Sequence, residues 1–338
     1  MQISRMLKKM ISGQNLTDTE SYDAITTMLK GEMTDGQIGA FLATLATKGE
    51  TINEITGGAR AMRKAATRIQ SLANDTLDTV GTGGDGGKTF NISTTVSFVA
   101  AGAGAIVAKH GNRASSGISG AADCLEKLGF NLQVDPEIME EAINEIGICF
   151  LFAPSFHSAM RHCGPIRKQM GIRTIFNMLG PLSNPAGATR QLIGVFAPEL
   201  TETFACVAKE LGAKRVLVVH GHDGMDEITM TTTTRCTEMN NGAIKTYDIN
   251  PLNYFEDLCT PEDLEGGAPE LNAQITKQIL SGEIKGPKRD IVLINSAASL
   301  QAGGIVETME DGIKKSIESI DSGAALDKLQ QLIEYSKS

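Results

Sequence analysis

Two polar turns in the first half of the chain carry residue types that bind anions. Residues 81–94, GTGGDGGKTFNIST, join a run of glycines to hydroxyl and amide side chains, and residues 109–120, KHGNRASSGISG, form a second such turn. Glycines let a backbone approach a ligand closely, and the free N–H groups of a helix that starts after the turn attract phosphate. No Asp or Glu lies between Asp85 and Asp123, whereas Lys109 does. The two turns predict a site for a ligand with two anionic groups.

The first turn contains parts of two nucleotide-binding motifs, and both fail on a specific residue. Gly81, Gly83 and Gly86 match the dinucleotide fingerprint GxGxxG. A Rossmann site also needs an acidic residue about 20 positions later to hold the ribose hydroxyls, and none is present. The P-loop pattern requires glycine at the position of Thr82. Both motifs are therefore disfavoured, and a phosphate cradle of another kind is the remaining prediction.

A third turn, HGHDGMDEIT, carries three carboxylates after a strand-like run of apolar residues. Asp223, Asp226 and Glu227 fall within this one turn. Adjacent carboxylates repel one another unless something compensates, so a solvated turn is one interpretation. Magnesium is the other, because Mg²⁺ is commonly held by one or two carboxylates while phosphates complete its shell. A phosphate site on the same sheet favours magnesium, and we expect His220 and His222 to be structural.

The pattern of apolar residues predicts an α/β protein with two domains. The first part of the chain shows helical periodicity and three capping boxes. These pair Thr17 with Glu20, Thr34 with Gln37 and Thr51 with Glu54. Strand and helix patterns alternate from about residue 75, which indicates a mostly parallel central sheet covered by helices. We expect a small helical domain of residues 1–70 completed by 155–184, and a larger α/β domain of residues 71–154 and 185–338.

Composition excludes several classes of function. The chain has 338 residues and a net charge of -9, which argues against nucleic acid and anionic membranes as partners. Trp is absent and aromatic residues make up 4%, so base-stacking platforms are not expected. The six cysteines form no CxxC pair, which disfavours a zinc site and indicates reduced thiols in a cytoplasmic protein. We see neither a signal-peptide core nor an apolar run of about 20 residues.

Several motifs together resemble the anthranilate phosphoribosyltransferase family. They are GTGGD at 81–85, NIST at 91–94, KHGNR at 109–113, HCGPIRKQMGIRTIFNMLGPLSNP at 162–185 and DGMDE at 223–227. The resemblance implies a helical domain on a larger α/β domain, usually in a homodimer. It implies transfer of the phosphoribosyl group of phosphoribosyl pyrophosphate (PRPP) to anthranilate, the second step from chorismate toward tryptophan, with Mg²⁺ as cofactor.

The same resemblance assigns site residues. It implies contacts with PRPP by Gly81, Gly84, Asp85, Thr89, Asn91, Ile92, Ser93, Thr94, Lys109, His110, Gly111, Asn112, Arg113, Ala114, Ser115, Ser116, Gly117 and Ser119. It implies contacts with anthranilate by Gly81, Asn112, His157 and Arg167, and with Mg²⁺ by Ser93, Asp226 and Glu227. Lys109 is the expected point charge on pyrophosphate, and Arg167 the expected partner of the anthranilate carboxylate. Ile118 and Ala121 depart from the lysine and serine usual in the family, so one phosphate donor is lost.

Two other functions remain open at this point. Pyrimidine nucleoside phosphorylases share the architecture but carry Lys-x-Ser-Gly-Arg-Gly where this chain has Lys109-His-Gly-Asn-Arg, and they lack the paired metal acids. Some proteins that resemble the family bind nucleic acid, and the net charge of -9 is against that. The partners we expect are therefore PRPP and anthranilate, with neither nucleic acid nor membrane.

Overall fold

The computed structural model describes residues 3–83, 88–114 and 117–337. Four of the residues predicted to contact PRPP lie outside these ranges. They are Gly84, Asp85, Ser115 and Ser116. Every structural statement below concerns the described residues.

The N-terminal part of the chain forms four helices, of which the second, third and fourth start at the predicted capping boxes. They are α1 Ile3–Ile11, α2 Asp18–Leu29, α3 Asp35–Lys48 and α4 Ile52–Ala65. The hydroxyls of Thr17, Thr34 and Thr51 each accept a hydrogen bond from the backbone N–H three residues later. The side chain of that later residue in turn accepts a hydrogen bond from the backbone N–H of the threonine. The three capping boxes are confirmed, because both bonds of each box form.

A single seven-stranded sheet forms the centre of the molecule. Its strands are β1 Leu77–Gly81, β2 Val107–Gly111, β3 Ile148–Phe152, β4 Arg190–Gly194, β5 Arg215–Gly221, β6 Thr234–Asn240 and β7 Ala243–Ile249. Their order is β3-β2-β1-β4-β5-β6-β7. All pairs among β1 to β5 are parallel, whereas β6 is antiparallel to both of its neighbours, β5 and β7. The predicted mostly parallel sheet is confirmed.

The hairpin of β6 and β7 was not identified from the sequence. Its turn is Asn241-Gly242, with φ of 47° and 87°, which is the left-handed geometry that a tight hairpin needs. An Asn-Gly pair between two strand-length segments is a recognised hairpin signal, so the information was present in the sequence.

Helices cover both faces of the sheet. In chain order they are α5 Ile92–Gly102, α6 Ala121–Leu128, α7 Pro136–Glu145, α8 Ala153–Phe156, α9 Gly164–Met170, α10 Ile175–Leu179, α11 Leu200–Glu210, α12 Pro269–Leu280, α13 Pro287–Gly303, α14 Met309–Asp321 and α15 Ala324–Tyr335. Short 3-10 turns occupy Ser158–His162, Pro251–Asn253 and Pro261–Leu264. No helix within the described ranges has the length and apolar character needed to cross a membrane.

The segment from the 3-10 turn Ser158–His162 to α10 packs with the four N-terminal helices, whereas Phe156 of α8 belongs to the cluster on the other face of the sheet. Cys163, Ile166 and Phe176 share one buried cluster with α1 to α4, and one face of β4 and β5 closes that cluster. A second cluster fills the other face of the sheet beneath α5 and α13. This packing supports the predicted helical domain of residues 1–70 with 155–184, whose boundaries stay a prediction.

The three points where the chain passes between these units lie side by side. The N–H of Thr67 donates to the carbonyl of Phe156 at 2.9 Å, and the N–H of Ile69 donates to that of Pro185 at 3.4 Å. Arg63 at the end of α4 donates to the carbonyl of Leu182 at 2.7 Å. Hydrogen bonds to backbone carbonyls therefore hold the crossings together, close to the domain boundaries expected near residues 70, 154 and 185.

The strand order places a crevice at the carboxyl ends of β1 and β4. These two strands are neighbours in the sheet. The chain leaves β1 toward β2 on one side and leaves β4 toward β5 on the other. Open parallel sheets bind ligands at such a switch point, because the loops diverge there and leave room between them.

Candidate active site

A cavity of about 680 Å³ opens at this crevice. Both polar turns, the acidic turn and residues 153–181 contribute to its wall. The predicted site residues that line it are Gly81, Thr89, Asn91, Ile92, Ser93, Lys109, His110, Gly111, Asn112, Arg113, Ala114, Gly117, Ser119, His157, Arg167, Asp226 and Glu227. The structure therefore brings together residues from four separate stretches of chain.

Thr94 differs from this set. Its side chain is 1% exposed, it does not line the cavity, and its hydroxyl has no hydrogen-bond partner among the described residues. It lies within the first turn of α5, whose N-terminal N–H groups have no partners inside the helix. A contact between Thr94 and a ligand would therefore have to come from its backbone N–H.

Lys109 lies at the base of the cavity, near the end of β2. Its ammonium donates to the carbonyl of Thr79 at 2.6 Å and to the hydroxyl of Ser93 at 3.3 Å. Burial lowers the pKa of Lys109, and the carboxylates of Asp78 and Glu227 oppose that shift. One carbonyl oxygen and one hydroxyl oxygen thus hold a desolvated cation that faces the predicted phosphate site.

Asp78 is a buried carboxyl that the sequence analysis did not identify. It lies on β1 and accepts the backbone N–H of His110 at 3.0 Å. Complete burial raises the pKa of Asp78 to about 6. Its position beside Lys109 places a compensating negative charge beneath the cavity floor. The alternation of a strand within LDTVG could have suggested an inward-facing carboxyl, but nothing in that pattern names its partner.

The second polar turn is closed by Asp123 at the start of α6. One oxygen of Asp123 accepts the N–H groups of Ala114 at 2.9 Å and Gly120 at 3.0 Å. Gly120 has to be glycine, because a Cβ there would lie 2.4 Å from the nitrogen of Ala114. The absence of acids inside the turn was noted from the sequence, and the acid at its end shapes it.

The guanidinium of Arg113 is paired with acidic side chains. Its guanidinium forms ion pairs with Asp123 and Glu126, each at 2.8 Å, and its side chain is 46% exposed. The residue still lines the cavity, but its charge is directed to two carboxylates of α6. Lys109 is therefore the better-placed cation for an anionic ligand.

The three carboxylates of the acidic turn divide into two roles, and Asp223 is structural. Its two oxygens accept the hydroxyls of Thr229 and Thr231, each at 2.6 Å, and the N–H of Met225 at 3.1 Å. These bonds fold the turn after β5 back on itself.

Asp226 instead reaches across to the first polar turn. Its Oδ2 accepts the N–H of Gly83 at 2.8 Å. A Cβ on Gly81 would lie 2.5 Å from that oxygen, and one on Gly194 would lie 1.6 Å from the Asp226 carbonyl. The glycines that end β1 and β4 therefore make the space through which the acidic turn enters the crevice.

The three predicted magnesium ligands, Ser93, Asp226 and Glu227, line the same cavity. Ser93 contacts Lys109, and Glu227 lies close enough to Lys109 to influence its pKa. Hydroxyl and carboxylate oxygens are the donors that Mg²⁺ prefers. Among the described residues no group of three His, Cys, Asp or Glu side chains could hold a metal. The donor set fits a cation that also takes oxygens from a bound phosphate.

Two buried imidazoles, His110 and His157, form part of the wall. Their ring centroids lie 5.1 Å apart. Burial lowers the pKa of His110 to about 3, with the nearby His157 adding to the shift, and burial lowers the pKa of His157 to about 4. Each ring bonds to a backbone group, of Gly180 and Ser183 respectively, and neither Nε2 has a partner among the described residues. Both rings are therefore neutral near pH 7.

The opposite wall is mainly apolar and carries two arginines, Arg161 and Arg167. Arg167 of α9 lies 5.0 Å from the ring centroid of Phe176, and burial lowers its pKa. Met62, Met160 and Pro181 complete this wall. Arg167 was predicted from the sequence, whereas these apolar residues were not, because each belongs to an ordinary helix or loop pattern.

Both parts of the chain match known family models. The model described as glycosyl transferase family, helical bundle domain, matches residues 4–66, and the one described as glycosyl transferase family, a/b domain, matches residues 73–326. The second match alone covers more than half of the chain.

Relatives match over almost the full length. The chain is 55% identical to the anthranilate phosphoribosyltransferase of Desulfosudis oleivorans over 335 residues, which cover 99% of each chain. It is similar to the crystal structure of the Thermus thermophilus enzyme of that name, with a TM-score of 0.93 and 41% identity over 98% of this chain and 99% of that one. It is also similar to the Saccharomyces cerevisiae enzyme in complex with PRPP and Mg, with a TM-score of 0.91 and 30% identity over 99% and 98%. The chain belongs to the anthranilate phosphoribosyltransferase family.

Proposed function

We propose that this chain transfers the phosphoribosyl group of PRPP to the amine of anthranilate and releases pyrophosphate. The observation that carries the proposal is the composition of one cavity. Two donor-rich turns and Lys109 lie on one side, and Arg167 with apolar side chains lies on the other. The side with the two turns and Lys109 matches a ligand with two anionic groups, and the other side matches an aromatic carboxylate. Asp226 and Glu227 lie near the first of these surfaces.

The departing pyrophosphate is the main charge that the site must stabilise. As the bond from ribose C1 to pyrophosphate breaks, negative charge grows on the phosphate oxygens. Lys109 supplies a fixed positive charge, and the N-terminus of α5 supplies backbone N–H groups. These groups are already held by the fold, so little reorganisation is needed at the moment of reaction.

Magnesium belongs to this proposal as a partner of the phosphates. Ser93, Asp226 and Glu227 are the residues that would hold it. When bound, the ion neutralises charge on the pyrophosphate group. The similar Saccharomyces cerevisiae enzyme is in complex with PRPP and Mg, which supports the same assignment here.

The acceptor needs orientation more than activation. Arg167 can pair with the anthranilate carboxylate through two N–H groups, while Met62 and Phe176 pack against the ring. His110 and His157 line the same cavity in their neutral form, so they add no charge beside the acceptor. An aromatic amine attacks with its own lone pair, so no strong base is required.

The proposal also includes the expected state of the protein in the cell. We propose a cytoplasmic homodimer, which rests on the resemblance of the motifs. The six cysteines are all unpaired, which supports a reducing compartment. Sedimentation of the purified chain at several concentrations tests the dimer directly.

A single fluorescence assay tests the function. Anthranilate fluorescence should decrease when PRPP and Mg²⁺ are both present, and the decrease should stop when the metal is chelated. No decrease under any condition overturns the proposal. Phosphate-dependent cleavage of thymidine or uridine would instead support a nucleoside phosphorylase, and a salt-dependent shift of single-stranded DNA would support a nucleic-acid-binding protein.

A further inference from the structure

The two polar turns are tied to each other by one pair of side chains. Asn91 Oδ1 accepts the hydroxyl of Ser119 at 2.9 Å, and Asn91 Nδ2 donates to the carbonyl of Ser119 at 3.2 Å. This double link joins turns that are 28 residues apart in sequence. Asn91 Oδ1 keeps a second lone pair for another donor.

That other donor is Asn272, in the first turn of α12. Its Nδ2 donates to Asn91 Oδ1 at 3.0 Å, and its own Oδ1 accepts the N–H of Gly267 at 2.8 Å. The residue is 1% exposed and does not line the cavity. Gly266 has to be glycine here, since a Cβ would lie 2.5 Å from Asn272 Oδ1. Asn272 is thus a buried amide, bonded at both ends, directly behind the anion-binding turns.

The chain just before α12 also holds the other side of the first turn. The N–H of Gly266 donates to the carbonyl of Lys88 at 2.8 Å, and Thr89 forms an isolated antiparallel bridge with Glu265. Residues 265–272 therefore contact the first turn on both sides of Phe90. A region remote in sequence supports the turn along its described length.

We propose that Asn272 is a positioning residue for PRPP. It holds Asn91, and through the link from Asn91 to Ser119 it sets the separation of the two anion-binding turns. A ligand with two anionic groups engages both turns only when that separation matches, so a loose link raises the cost of ordering them. The inference rests on the function proposed above. It predicts an effect on PRPP and not on the acceptor, because within the described part of the chain Arg167 and the apolar wall form no hydrogen bond with these residues.

The test is calorimetric binding of PRPP with Mg²⁺ to the wild type and to Asn272→Asp. Aspartate keeps the acceptor for Gly267 but replaces the donor to Asn91 with an oxygen. Loss of one buried hydrogen bond should raise the Kd for PRPP about tenfold. The KM for anthranilate should change less than about twofold, because a ground-state contact with the other substrate is unaffected. The double variant Asn91→Ala with Asn272→Ala should bind PRPP no more weakly than Asn91→Ala alone, since residues that act as one unit are not additive.

The matched control is Ser319→Ala. Its buried hydroxyl donates to the carbonyl of Val99 at 2.8 Å, at the far end of the same helix α5. This variant should lose stability without a change in the Kd for PRPP. An unchanged Kd in Asn272→Asp, additive losses in the double variant, or a tenfold loss in Ser319→Ala each overturns the inference.

If the wild type binds PRPP but consumes no anthranilate, the proposed function fails and the Kd comparison still tests Asn272. If the wild type binds no PRPP, both are overturned.

Discussion

The half of the cavity formed by the two polar turns consists mainly of backbone groups and short polar side chains, whereas the half formed by residues 153–181 combines apolar side chains with the guanidinium groups of Arg161 and Arg167. The first half is held in place by buried bonds to the sheet and to α12, such as Lys109 to Thr79 and Asn91 to Asn272. The second half is carried by short helices and turns, and those from Ser158 onward pack on the N-terminal bundle. In the proposed reaction, fixed groups therefore bind the charged phosphates of PRPP, and elements of the helical unit shape the space for the acceptor.

Removing the acids between the two halves should have the largest effect. Asp226→Asn with Glu227→Gln should lower kcat about a thousandfold, because leaving-group stabilisation is lost while the amides keep the size of the side chains. The thermal midpoint should stay close to that of the wild type. Asp223→Asn is the matched control in the same turn. It removes an acceptor for two hydroxyls and should reduce stability by about 1–3 kcal/mol with kcat largely retained. Steady-state kinetics and thermal melts of both proteins decide, and normal turnover in the double variant rejects the metal assignment.

The Arg167→Gln substitution should affect the binding of anthranilate and leave the binding of PRPP unchanged. The KM for anthranilate should rise about fiftyfold, because a charge-assisted pair in a partly buried wall is lost, while the KM for PRPP stays constant. Lys168→Gln, an exposed neighbour on the same helix, should leave both constants unchanged. A parallel rise in both KM values would show that Arg167 acts on closure of the cavity rather than on the acceptor carboxylate.

The two buried imidazoles should make the acceptor half sensitive to acid. The pKa values of His110 and His157, about 3 and about 4, lie below the ordinary value of 6.5. The unfolded chain therefore binds protons near pH 6.5 while the folded chain does not. Stability from these groups is complete above that pH and falls as the pH decreases, by about 2 kcal/mol for each histidine at pH 5. Urea unfolding at pH 8 and pH 5 measures the loss. His157→Gln should show a loss smaller by about 2 kcal/mol, and equal losses in both proteins would contradict the assignment.

The two halves also differ in how far the sequence predicts them. The polar turns and the acidic turn are local, so their residue types could be recognised within a few positions, as could the capping boxes at Thr17 and Thr34. The apolar wall could not be predicted, because Met62 and Phe176 become neighbours of one cavity only when two distant segments pack together. Asn272 was missed for the same reason, since it lies 181 residues from its partner Asn91.

Arg113 shows that even a local motif does not predict which groups a side chain will contact. Its replacement should have the smallest effect. The sequence places a cation in an acid-free turn, but its guanidinium pairs with Asp123 and Glu126 at the surface. Exposed ion pairs contribute about 0–1 kcal/mol, so Arg113→Gln should change stability within that range and the KM for PRPP less than about threefold. Lys109→Met at the buried position should instead weaken PRPP binding by far more than tenfold, because that cation is desolvated and faces the phosphates. Titration of both variants with PRPP and Mg²⁺ makes the comparison. A large loss in Arg113→Gln would mean that the ligand draws the guanidinium away from α6, and the fixed-charge description of this half would then apply to Lys109 alone.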